Sequence, residues 1–229
     1  MNFLAHWFDP FTLHVANGIL LLLLAAAAKP ACLAVAGRPA AAAGAVLILA
    51  VLWGLHVELG SGHLAGITYH LLGISLITLM VGAPAALWLG TLMLLPYTWL
   101  LHGAGNLHVV GLNALLLLLP AISVNLWLRR CCTKLPPNLF IYIFVNGFIS
   151  AALGLLFTGA LLVAALQAAA VYSAETLWRG AFPVFFLLAW GEAFLTGIFT
   201  AVFVALAPQW LITFDDGHYL QQRNEIWKA

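Results

Sequence analysis

Eight histidines stand in a 229-residue chain that is 65% hydrophobic and only 7% charged. Neutral imidazole is the commonest protein ligand for nickel, cobalt, copper and zinc, so the rings are candidates for metal chemistry. His70 lies inside the apolar run Ile67-Thr-Tyr-His-Leu-Leu-Gly73. Polar groups within a bilayer are costly and face the bundle interior or a cavity. His70 is therefore a ligand, or a histidine hydrogen-bonded to a neighbouring helix carbonyl. His63 precedes it by seven residues, and a continuous helix would place both on one face; Gly66 interrupts that run, and a span-to-loop boundary is the plainer reading of His63. His102 and His108 flank Gly103, Gly105 and Asn106, a tight loop that closes over a site or caps a hairpin. Glu192 sits in Trp190-Gly-Glu-Ala-Phe-Leu-Thr-Gly197; an intramembrane carboxylate is a functional candidate, with a neutral or paired structural role as the alternative. Asn113 reads as an interhelical hydrogen-bonder worth roughly 1 kcal/mol. The adjacent Cys131 and Cys132 suit a soft metal or, more simply, the small residues of a helix end.

These residues must be positioned by membrane helices. A soluble domain carries roughly 25% charged residues, far more than this chain, whose mean hydropathy is +1.08. The apolar runs are long and rich in Leu and Ala, without the alternation of a membrane barrel. The expectation is an all-α integral membrane protein, one polytopic domain over residues 1–229. About 20 apolar residues cross the hydrocarbon. Runs fall at 11–28 (stopped by Lys29-Pro30), 40–57, 67–81, 85–101, 109–128, 138–168 and 182–207, giving about seven spans. Gly82-Ala83-Pro84 divides the third from the fourth, because proline lacks an amide hydrogen and disfavours helix before it. Residues 67–81 are short enough to be re-entrant. Residues 138–168 are long enough to tilt, protrude or break near Gly147, Gly154 or Gly159. Trp7, Trp53 and Trp99 read as interfacial belt residues.

Lys and Arg set the orientation. With the N-terminus outside and the C-terminus cytoplasmic, seven of the eight basic residues lie inside and only Arg179 outside. His6, His14, His56, His63, His70, His102 and His108 then gather towards the outer face, where a nutrient metal arrives; His218 alone is cytoplasmic. The start Met1-Asn-Phe-Leu-Ala-His6 lacks the basic region of a cleaved signal peptide, so the first span is expected to be retained. Net charge is +1, with no nucleic-acid footprint. No GxxxxGK[ST], HExxH or GxSxG occurs, so neither an ATPase nor a membrane protease is expected; ATP-driven transport would need a separate ATPase.

Several stretches together resemble the cobalt/nickel energy-coupling-factor permeases, the CbiM/NikM family, in a proteobacterial branch. Tyr69-His-Leu-Leu-Gly73 is similar to the family's HxxG stretch, and Gly82-Ala-Pro84 to the Gly-Pro that opens its next helix. His102-Gly-Ala-Gly-Asn-Leu-His-Val-Val-Gly-Leu-Asn113 resembles its HGGLTTLGAN loop with two extra residues, and Gly191-Glu-Ala-Phe-Leu-Thr-Gly197 its GEaliTG motif. The resemblance spans about residues 60–207. It implies a substrate-capture subunit of the bacterial cytoplasmic membrane that imports Co(II) or Ni(II), without enzymatic activity or an intrinsic cofactor. Implied partners are a transmembrane coupling subunit, two cytoplasmic ABC ATPases, a small auxiliary membrane subunit and lipid. The family holds its metal through a free N-terminal amine, a second-position histidine with its backbone amide, and the HxxG histidine. Carried over, these are Met1, position 2 and His70. Position 2 is Asn2, so one imidazole is missing; His6 or His63 is the candidate replacement. The alternatives are an energy-coupling-factor binding subunit for a non-metal solute, and a bis-histidine haem or quinone protein using His14 and His70.

Overall fold

The computed structural model describes residues 2–58 and 66–219; Met1 and His63 lie outside them. Seven apolar helices form the bundle: α1 Pro10–Gly37, α2 Pro39–Gly54, α3 Ile74–Val81, α4 Ala83–His102, α5 Ala104–Cys132, α6 Leu139–Ala168 and α7 Thr176–Leu206. Five of these, α1 and α4 to α7, are long and apolar enough to cross a membrane; α2 is shorter, with 16 residues. Local chemistry starts them. Asp9 caps α1, accepting from the Thr12 amide at 2.9 Å, with Pro10 in the first turn, where its missing N–H costs nothing. The Thr12 hydroxyl and amide hold the exposed Asp9 carboxyl below its ordinary range. Pro39 and Pro84 open α2 and α4 in the same way.

Residues 66–81 are unlike the rest. Two short strands, β1 Val57–Glu58 and β2 Thr68–Tyr69, pair antiparallel with Val57 opposite Tyr69. The chain then continues without regular structure to Gly73, whose φ of 70° precedes the eight-residue α3. An eight-residue helix is only about 12 Å long, too short to span. At one end, Gly66 lies against Trp7 and Tyr172. At the other, the carbonyls of Leu79 and Met80 accept from the Thr213 hydroxyl and the Ile212 amide, both 3.1 Å. The extended half and the helical half thus share one passage between the two ends of the bundle. Extended backbone in an apolar interior needs hydrogen-bond partners. Glu192, midway along α7, accepts from the Leu72 and Gly73 amides at 2.8 and 2.6 Å, and the Trp53 indole donates to the Leu72 carbonyl at 3.0 Å.

Two sequence expectations change, and for residues 138–168 one of three alternatives drops out. Lys29-Pro30 does not stop α1, which runs on to Gly37. Proline removes one hydrogen bond, and the helix-forming run Ala31-Cys-Leu-Ala-Val-Ala36, with Ala31 buried, carries the helix past it. Residues 138–168 do not break at a glycine: α6 is continuous, with a π-helical stretch over Tyr142–Ile149. Its glycines are points of close approach instead, since a Cβ on Gly159 would lie 2.6 Å from Phe185 and one on Gly147 3.0 Å from Thr200. The span expected at 182–207 begins earlier, at Thr176, and π-helical turns precede Pro120 and Pro183. Such a bulge supplies an extra residue ahead of the proline ring. The break at Gly82 stands where the sequence put it, at φ 83°.

Candidate metal centre

His70 is presented by the extended segment between β2 and α3. Its ring packs 5.7 Å from Trp53 and 5.4 Å from Tyr97, centre to centre, and is buried. Nδ1–H donates to the Leu71 carbonyl at 2.8 Å; a carbonyl only accepts, so this bond fixes the tautomer and leaves the lone pair on Nε2. That Nε2 is buried and has no hydrogen-bond partner among the described residues. A metal-binding histidine commonly spends its other ring N–H on a backbone carbonyl in this way.

The N-terminal segment is threaded into the same region by four side chains. The Asn2 amide donates to Thr68 Oγ1 at 3.1 Å, and Asn2 Nδ2 donates to Thr98 Oγ1 at 3.0 Å. The Phe3 amide donates to Asn113 Oδ1 at 2.8 Å, and the Ala5 amide to Asn106 Oδ1 at 2.9 Å. Asn106 is itself steadied by donating to the His102 carbonyl at 2.7 Å. Asn2 is buried, and its Oδ1 has no partner. Tyr97 and Thr98, adjacent on α4, contact His70 and Asn2 respectively. Two unpaired buried acceptors, Asn2 Oδ1 and His70 Nε2, are thereby brought into one neighbourhood.

The other expected residues fall as follows. Asn113, fully buried, does bond across elements, but to the N-terminal segment rather than to another spanning helix. Glu192 is buried and fastens the two residues that end the His70 loop. His102 closes α4, with Nε2 buried and unpaired. His6 is not brought to His70: it is exposed and borders a cavity of about 410 Å³ with His14 and His108. His14 and His70 likewise occupy separate places, one exposed and one buried, so the structure supplies no bis-histidine pair from them. Trp53 is not a belt residue. It is 1% exposed and packs on His70, whereas Trp99, 57% exposed, fits the belt. Cys131 and Cys132 end α5. Among the described residues no three His, Cys, Asp or Glu side chains converge on a metal position. Thr68, Tyr97 and Thr98 carried no spacing signal in the sequence. Asn106 stood in a loop already singled out, but its partner in the N-terminal segment is 101 residues away.

The family model "Cobalt uptake substrate-specific transmembrane region" matches residues 5–210. The chain belongs to this family. Two crystal structures share its fold. A truncated transition metal transporter aligns with TM-score 0.73 and 19% identity over 90% of this chain and 98% of its own. A transition metal transporter aligns with TM-score 0.75 and 19% identity over 90% and 93%. A search of curated proteins returns no match. The chain is a multi-pass inner-membrane protein and a metal-importing subunit of the energy-coupling-factor type, a transport component whose metal is substrate.

Proposed function

We propose that the protein captures Co(II) or Ni(II) at the outer end of the bundle, with His70 Nε2 as its one imidazole ligand. The observation that carries this is the buried, unpartnered Nε2 whose tautomer is fixed by Leu71, facing the same neighbourhood as the buried N-terminal segment. The Asn2 backbone nitrogen and the amine of Met1 complete the set that the family resemblance supplies, and Asn2 Oδ1 stands in for the missing second imidazole. An all-nitrogen or nitrogen-rich set suits these two metals. Seven crossings, with the N-terminal segment outside, keep seven of eight basic residues inside. Release then falls to partners: two ABC ATPases hydrolyse ATP and, through a transmembrane coupling subunit and a small auxiliary membrane subunit, bias the conformational equilibrium.

His70→Ala should weaken Co(II) or Ni(II) binding by more than about 100-fold, beyond the 10–100-fold of an outer-shell loss, measured by titration calorimetry on protein with its native N-terminus. Undiminished affinity in that variant, or stabilisation only by a non-metal solute, overturns the reading. Ligation by an amine and a backbone amide also releases about two protons per metal at pH 7. Affinity should therefore rise with pH, and calorimetry in buffers of different ionisation enthalpy reads the proton count.

A further inference from the structure

Outward from His70, along the line towards Glu58, polar atoms without partners accumulate. Among the described residues, His56 Nδ1, Tyr97 Oη and His102 Nε2 are all buried atoms without a hydrogen bond, like His70 Nε2 itself. Unpaired buried polar atoms are scarce because each forfeits its hydration, so a cluster of four beside a transport site calls for an occupant. The cluster is graded in depth. Glu58 on β1 is exposed, His56 and His102 are half-buried, and Tyr97 and His70 are buried. The Tyr97 ring touches both histidines of that line, 6.1 Å from His56 and 5.4 Å from His70. His102 lies one helical turn beyond Thr98 on the same face of α4, and Thr98 is what holds Asn2. Glu58 follows His56 by two residues, at the exposed edge. His56 is thus linked to His70 through the Tyr97 ring, and His102 follows by one turn the Thr98 that holds Asn2.

We propose that His56 and His102 form a first docking position for the incoming divalent transition metal, and that the Tyr97 hydroxyl receives the ion as it passes to His70. This rests on the capture site argued above. Two imidazoles and a neutral hydroxyl leave most of the coordination sphere to water, so the position binds weakly and exchanges fast, as a transit point must. The carboxylate of Glu58 at the exposed edge favours cations over anions at the mouth. No bond other than metal–ligand bonds forms or breaks. Each step exchanges a water for a protein donor, and the ion keeps its charge and oxidation state.

The test separates rate from affinity. Full-length protein in lipid nanodiscs is mixed with Co(II) in a stopped-flow instrument, and quenching of tryptophan fluorescence is followed, Trp53 lying on His70. In the His56→Gln/His102→Gln double variant, equilibrium affinity should stay within about twofold of the parent. The association rate constant should fall about tenfold, and dissociation with it by detailed balance. His70→Ala should abolish the signal. An unchanged association rate in the double variant, at an unchanged melting temperature, overturns the transit position while leaving capture at His70 intact. Loss of affinity as severe as in His70→Ala overturns it too, by placing the two histidines in the main site. Quenching that survives in His70→Ala overturns the capture site, and the transit position with it.

Discussion

At the scale of single residues, the site depends on side chains that never need to touch the metal. Asn113 satisfies the Phe3 amide inside the bundle. Asn113→Ala leaves that amide buried and unpaired, a cost of about 1–3 kcal/mol, and the N-terminal segment is what moves. Metal affinity should fall by roughly one to two orders of magnitude on that basis, with His70 in place; calorimetry against the parent protein checks it. Glu192 is similar. Its two bonds from the Leu72 and Gly73 amides end the loop that carries His70. Glu192→Gln turns one acceptor into a donor facing a donor. Capture should weaken about tenfold, the size of an outer-shell loss, together with a lower melting temperature; full affinity in that variant would show that the loop holds its shape without the carboxylate.

At the scale of elements, close backbone approach decides where helices sit. Gly111 at the start of α5 faces α1 so closely that a Cβ would lie 2.7 Å from the Asn17 backbone, and its amide donates to Asn17 Oδ1 at 3.0 Å. Asn17 also donates to the His108 carbonyl at 2.7 Å. Gly111→Ala should cost roughly 1–3 kcal/mol by overpacking, read as a drop in melting temperature, because backbone cannot step aside as a side chain can. Gly73→Ala is a contrast. Its φ of 70° penalises alanine by about 1–2 kcal/mol, while the steric partner is the flexible end of Leu52, 2.7 Å from the new Cβ. Thermal melts of both variants in one detergent test the pair. The extended half of residues 66–81 was not foreseeable as such. Its apolar residues read as a short span, and only the distant partners Glu192 and Trp53 make an unpaired extended backbone tolerable there.

At the scale of the whole molecule, named contacts define two ends. Asn2, Asn17, Gly66, Asn106 and His108 meet at one; Gly44 against Trp210, Met80 with Ile212, and Tyr142 with Thr213 meet at the other. Phe11 is exposed near the first end and Cys131 exposed near the second. With native Cys32 and Cys132 replaced, a membrane-impermeant maleimide applied to intact cells should label Phe11→Cys and spare Cys131. The reverse pattern would invert the proposed orientation.

The class of the protein, its helical spans, the break at Gly82 and the intrusion of His70, Asn113 and Glu192 into apolar runs were legible in the chain. Hydropathy, charge bias and the backbone limits of proline and glycine are local properties, written in neighbouring letters. Which groups meet is another matter. Asn2 reaches Thr68 and Thr98, Phe3 reaches Asn113, and Glu192 reaches Leu72 and Gly73, across 66 to 120 residues of chain. Those pairings arise only when helices pack, because no periodicity in one segment records the face of another. The same holds for Trp53, which looked like a belt residue from its place near a helix end and packs on the His70 ring once α2 lies against the His70 loop.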